Sequence, residues 1–230
     1  MADTSDIAAL DLAALIASRV CHDIISPVGA ITNGLEVLEE DNNEEMRAFA
    51  MDLIRKSARQ ASAKLQFARL AFGAAGSAGA SIDLGDAENV AKGFMAGEKA
   101  SLEWTATRVL MPKNLVKLLL NLILMAGHAI PRGGVVKVVV TGPTEAPTFT
   151  LTCEGLNARV PANAPEFLAG RLADHAPDAH MIQPIYAGLL ARAAGMITTV
   201  EKVGEAVVFR AEPAAVNAPA TGGDTVSSAG

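Results

Sequence analysis

An imidazole, a carboxylate and a hydroxyl fall close together in the stretch His22-Asp23-Ile24-Ile25-Ser26-Pro27-Val28. On a helix, residues i and i+4 share a face, so His22 and Ser26 project side by side. Imidazole titrates near neutrality, which makes it available as a nucleophile or a proton carrier. A neighbouring carboxylate can hold one ring nitrogen and leave the lone pair of the other free to react. Adjacent helix positions diverge by about 100°, so a contact from Asp23 to His22 requires a favourable rotamer. Pro27 removes the amide that would bond the carbonyl of Asp23, at a cost of about 3 kcal/mol inside a helix. Packing must offset that cost, or the loosened backbone must be used. A surface histidine ahead of a proline kink, with no chemistry attached, is the plainer reading of the same residues.

The elements that must position this group follow from periodicity. Val20, Ile24, Val28, Ile31, Leu35 and Leu38 recur at helical spacing and predict a helix from about Ile7 to Glu40. Asp41-Asn42-Asn43 is turn chemistry. Ile54, Ala58, Ala61, Leu65, Ala68 and Phe72 predict a second helix from Glu44 to Phe72. The pair reads as an antiparallel hairpin. Its apolar stripes exceed what one hairpin can cover, so a second copy is expected to complete a four-helix bundle. The small-residue run Gly73 to Ser81 reads as a linker.

Beyond it, Leu102 to Thr105, Val135 to Thr141, Phe149 to Cys153, Met196 to Val200 and Ala206 to Arg210 read as strands. Pro112 is expected to open a helix to Ala129, and another helix should run from Met181 to Ala194, stopped by Gly195. The expected fold class is therefore α + α/β. It comprises a helical hairpin over residues 1–75, an α/β sandwich over 76–212 with helices on one face of a mixed sheet, and a disordered tail over 213–230.

Composition narrows the functions. Of 230 residues, 50% are hydrophobic and 4% aromatic, which favours packed aliphatic helices. A formal net charge of −6 argues against bulk binding to nucleic acid or to an anionic membrane. The most apolar run, Leu118 to Ala126, falls short of the roughly 20 residues of a membrane span. The acidic opening MADTSD lacks the charge of a signal peptide. Cys21 and Cys153 have no paired spacing, which suits a reduced cytoplasmic protein. His22, His128, His175 and His180 stand outside any metal-binding spacing.

The decapeptide HDIISPVGAI resembles the H-box of two-component sensor histidine kinases, and it lies on the first helix of a hairpin as the H-box does. The resemblance implies that His22 accepts a phosphoryl group and that Asp23 fixes its tautomer, with Ser26 beside them. It also implies a second domain built like the kinase ATPase, in which three nucleotide-binding boxes would be expected. Asn121-Leu122-Ile123-Leu124-Met125-Ala126 resembles the N-box, but Met125 replaces the asparagine that ligates Mg²⁺, and a thioether is too soft for that ion. Cys153-Glu154-Gly155-Leu156-Asn157 stands where an adenine-reading aspartate and a second glycine belong. Met181-Ile182-Gln183-Pro184 stands where a glycine motif should admit phosphates.

The sequence therefore reads as a degenerate kinase-type domain that binds no cofactor itself. It resembles a histidine phosphotransferase that relays phosphate between receiver aspartates in a multistep phosphorelay of bacterial cell-cycle control. The implied partners are the receiver of a CckA-like hybrid kinase and CtrA- and CpdR-like response regulators, with Mg²⁺ supplied by the receiver. A divergent active kinase, a non-catalytic helical adaptor and a phosphatase whose water is oriented by Asp23 and Ser26 remain open at this point.

Receiver phosphorylation pockets are acidic, so basic residues near His22 are candidate partner contacts. Arg55, Arg59, Ser62, Gln66 and Arg69 share one stripe of the second helix, with Lys56 beside it. On the first helix, Ser18, Arg19, Ile25, Gly29 and Asn33 join Ser26 around His22. The kink expected at Pro27 would aim this face at the partner.

Overall fold

The computed structural model describes residues 8–40, 43–73, 81–171 and 182–214. The predicted linker apart from its end residues Gly73 and Ser81, the turn residues Asp41 and Asn42, His175, His180 and Met181, and the tail from residue 215 lie outside the described residues.

Two long helices open the fold, α1 over Ala9–Glu40 and α2 over Glu44–Ala71. Asn43 caps α2, its side chain accepting from the amides of Glu45 at 2.9 Å and Met46 at 3.4 Å. Arg47 Nη1 donates to the carbonyl of Leu38 at 2.5 Å and ties the second helix to the end of the first. The helix runs unbroken through Pro27, which is buried, as is Gly34. Pro27 thus offsets its lost hydrogen bond by packing. At Gly34 a Cβ would stand 2.6 Å from Ile54 Cγ1, so only glycine lets the helices approach there.

The expected apolar stripes are displaced. Val28 and Leu35 of α1 are 46% and 48% exposed, and Leu65 of α2 is 50% exposed. Ala61 of the expected α2 stripe is buried, and the faces that pack within the chain otherwise run through Pro27 and Gly34 on α1 and through Ala50, Ser57, Phe67 and Ala71 on α2. Small residues dominate the contact because close helix approach needs them, and a periodicity count weights large aliphatics more heavily. Among the described residues, α1 is the one helix long and apolar enough to cross a membrane, rather than the shorter apolar run of Leu118 to Ala126. It nevertheless pairs with α2 and carries Arg19, His22 and Asp23 mid-helix.

The remainder is an α/β sandwich. Its strands are β1 (Ser81–Asp83), β2 (Ala100–Thr105), β3 (Leu110–Pro112), β4 (Gly134–Thr141), β5 (Thr148–Glu154), β6 (Met196–Val203) and β7 (Ala206–Pro213). Its helices are α3 (Leu84–Met95), α4 (Lys113–Ala129), α5 (Ala164–Leu168) and α6 (Ile182–Ala193). Five strands form a mixed sheet in the order β2-β4-β5-β7-β6, with β2 and β4 parallel and the other pairs antiparallel. The hairpin between β6 and β7 closes through Gly204-Glu205, where Gly204 takes a φ of 58° at no steric cost. Alternate residues of β5, Phe149, Leu151 and Cys153, are buried under the helical layer, and α4 is buried on almost every side.

The expected strands and the helices α4 and α6 are present. Pro112 is the cap residue before α4, one position earlier than expected, and Pro213 ends β7 where the tail was expected to begin. The elements β1, β3, α3 and α5 were not anticipated. In α3 the buried face includes Gly85, Ala87 and Ala91, which carry little hydrophobic signal. Its legible cue is Asp83, whose carboxylate accepts from the amide of Gly85 at 2.7 Å. That amide, with the Arg108 guanidinium, holds the Asp83 carboxyl below the usual carboxylate range.

The hairpin is not independent of the sandwich. Phe67 and Ala71 belong to the same core as α4 and the sheet, so part of the surface reserved for a second copy is covered within the chain. Phe67 stacks on Phe94 with centroids 4.5 Å apart, and Phe72 meets Tyr186 at 5.7 Å.

Candidate functional site

His22 is 72% exposed on α1. Its Nδ1 stands 3.5 Å from Asp23 Oδ1, so the adjacent pair does meet despite the angular divergence along the helix. The reason lies one turn back. Arg19 Nε donates to Asp23 Oδ2 at 3.0 Å and fixes the carboxylate, with Arg19 only 13% exposed and Asp23 25% exposed. Arg19, expected on the partner-facing surface, is thus turned inward to hold the acid. Nδ1 is thus the ring nitrogen directed at the carboxylate.

Ser18, Ile25, Ser26, Gly29 and Asn33 are exposed on α1. A Cβ at Gly29 would meet nothing within 4 Å, so the fold itself does not require glycine there. On α2, Arg55, Lys56, Arg59, Gln66 and Arg69 are all exposed, and Gln66 Nε2 donates to Ser62 Oγ at 3.2 Å.

None of these α2 residues lines the cavity at His22. A cleft of about 470 Å³ opens beside the histidine between the hairpin and the sandwich. His22, Asp23 and Arg19 form one side, with Lys64 of α2. Glu98, Lys99 and His128 approach from the sandwich, over an apolar floor that includes Phe94 and Ile123. Lys64 Nζ lies 3.5 Å from Glu98 Oε1 and bridges the two parts across the cleft. Sequence reasoning missed Lys64, Glu98, Lys99 and His128 as neighbours of His22. They come from separate elements, and no local spacing joins them.

The positions expected to hold a nucleotide have gone into the interior. Met125 is 2% exposed and Cys153 is 0% exposed. Burial pushes the Cys153 thiol up to about 12, which keeps it neutral. Asn121, which aligns with the first residue of the N-box, is 0% exposed. Its Nδ2 donates to the carbonyls of Lys117 at 2.7 Å and Ala71 at 3.1 Å, and its Oδ1 accepts from Gln183 Nε2. A residue in an N-box-like motif is here a fastener between α4, α6 and the end of the hairpin. Gln183 and Pro184 lie within α6, whose helical backbone offers no glycine loop to phosphate. These residues do not fit a nucleotide.

The family model for the histidine phosphotransferase C-terminal domain matches residues 84–206. Protein phosphotransferase ChpT of Brucella abortus (strain 2308) is 53% identical over 206 residues, covering 90% of this chain and 97% of that protein. A bacterial phosphotransferase solved at 1.7 Å superimposes with a TM-score of 0.84 at 50% identity, covering 92% of this chain and 100% of that one. A histidine kinase domain from Erythrobacter litoralis EL346 is more distant, with a TM-score of 0.46, 16% identity and 81% and 95% of the two chains covered. An exposed histidine on a helical hairpin, a sandwich whose nucleotide-binding positions are packed shut, and identity along most of the chain converge: this chain belongs to the histidine phosphotransferases.

Proposed function

We propose that His22 is the phosphoacceptor through which this phosphotransferase carries phosphate from one receiver domain to another. The observation that carries the reading is the ordered series Arg19, Asp23, His22 on one exposed stretch of α1. Arg19 holds Asp23, Asp23 favours the tautomer protonated at Nδ1, and Nε2 is the nitrogen that acts as nucleophile. Its lone pair attacks the phosphorus of the receiver's aspartyl phosphate. The N–P bond forms as the P–O bond to the aspartate breaks, and the carboxylate leaves with the electron pair. Asp23 offsets the positive charge that develops on the ring. Transfer to the next receiver runs the same step in reverse, with a fresh carboxylate as nucleophile. The protein's part is positioning and charge stabilisation. The receiver would supply the Mg²⁺ that neutralises the phosphoryl oxygens, and this chain is expected to bind neither metal nor nucleotide.

The receivers assigned to it are those of a CckA-like hybrid kinase upstream and of CtrA- and CpdR-like regulators downstream, in the cytoplasm and in cell-cycle control. The exposed surface around His22, with open space above Gly29, suits a close-fitting domain. The exposed basic stripe on α2 offers further cations to an acidic partner. The chain works as a homodimer. Val28 and Leu35 of α1 and Met51 and Leu65 of α2 are exposed apolar residues, and a second hairpin would cover them.

The test is a transfer assay. A phosphorylated receiver domain should label the wild-type protein and leave His22→Ala unlabelled, while Mg-ATP alone should label neither. Label retained by His22→Ala on another histidine overturns the assignment.

A further inference from the structure

The cleft beside His22 has a second wall that belongs to the sandwich, and its chemistry fits the partner. Lys99 stands on that wall, exposed and without an ion pair among the described residues. The other charges at the mouth are already matched, Arg19 by Asp23 and Lys64 by Glu98. Lys99 is therefore the cation left to meet an incoming anion. Its backbone is firmly placed. Any side chain at Gly133, which has a φ of 94°, would collide with the Lys99 carbonyl at 2.7 Å, so the turn before β4 is packed against it.

We propose that the nucleotide-free sandwich is a partner-reading wall, and that Lys99 meets the acidic phosphorylation pocket of the receiver while His22 takes its phosphate. This rests on the reading of His22 as phosphoacceptor and adds a docking role for the second domain. Two physical considerations lead to it. A receiver seated on His22 covers the mouth of a cleft whose far side is Lys99, so contact with one brings the other within reach. In addition, the chain carries a formal charge of −6 and has no bulk attraction for an acidic partner. Attraction must come from local cations acting within about a Debye length, roughly 8 Å at physiological salt. The Asn121 fastener and the Phe67–Phe94 stack hold the wall at a set distance from α1, as a docking surface requires.

The experiment compares Lys99→Glu, Lys99→Met and wild type as full-length proteins, using a phosphorylated hybrid-kinase receiver domain as donor over a range of concentrations. Lys99→Glu should raise the receiver concentration for half-maximal transfer by about three- to tenfold, with Lys99→Met in between and the maximal rate unchanged. The difference should shrink at high salt. Phosphoramidate, a small donor that needs no docking, should label all three equally, which separates docking from the reactivity of His22. Unchanged half-saturation in Lys99→Glu overturns the proposal. If His22→Ala blocks transfer in the same series, only the docking role has failed. If His22→Ala still accepts phosphate, the parent reading falls with it.

Discussion

Asn121 Nδ2 donates to the carbonyl of Ala71 at 3.1 Å, and this bond joins the middle of α4 to the last turn of the hairpin. The same side chain accepts from Gln183 on α6. The fold thus uses a polar residue at full burial to fasten three helices that meet nowhere in sequence.

Asn121→Ala should therefore destabilise the protein beyond the loss of side-chain volume. It leaves the Ala71 carbonyl and the Gln183 amide without this partner in a dry interior, where Gln183 Oε1 already has none. The expected loss is about 1–3 kcal/mol, or about 2–4 °C in Tm for each kcal/mol. Thermal melting checks it, and an unchanged Tm would show that the network adds nothing.

Arg19→Ala should slow phosphotransfer while the helix persists. Asp23 would lose the guanidinium that fixes its carboxylate, and His22 Nδ1 would lose a constant partner. A fall of about tenfold to a hundredfold in the maximal rate is expected, the scale on which residues that orient a reactive side chain act. Arg19→Lys should restore only part of the rate, because Nζ cannot reproduce the geometry of Nε. Circular dichroism should show unchanged helix content.

Leu35→Glu should convert the dimer to a monomer. Leu35 is exposed on a face that includes Val28, and a buried carboxylate facing its symmetry mate is strongly unfavourable. Sedimentation of the wild type should report a dimer, and of the variant a folded monomer. A wild-type monomer would remove the four-helix bundle and leave the apolar face to another partner, with lipid vesicles the first to try.

Cys21 and Cys153 should react very differently with an alkylating reagent at pH 8. Cys21 is exposed, whereas Cys153 is buried and its thiol is pushed up to about 12. Mass spectrometry of the native protein should find label on Cys21 alone, with Cys153 modified only after denaturation. Rapid native labelling of Cys153 would mean that the position aligned with the adenine-reading aspartate opens to solvent. Calorimetry against Mg-ATP is the companion measurement, and no heat of binding is expected from the closed structure.

Local sequence determined the hairpin, the place of His22-Asp23 on its first helix and most of the strands. Helical and strand periodicities, the Asn43 cap and the Gly204-Glu205 turn act over a few residues and can be read there. The losses at Met125 and Cys153 were also legible, because each changes a ligand type that a nucleotide site needs. Tertiary structure decided which stripe of each long helix faces inward. Pro27, Gly34, Ala61 and Phe67 pack inside while Val28, Leu35 and Leu65 face out, because close approach of backbones outweighs side-chain size. It also decided the far side of the His22 cleft. Lys64, Glu98, Lys99 and His128 lie on different elements, and only the packing of the sandwich against the hairpin, fastened through Asn121, brings them to the histidine.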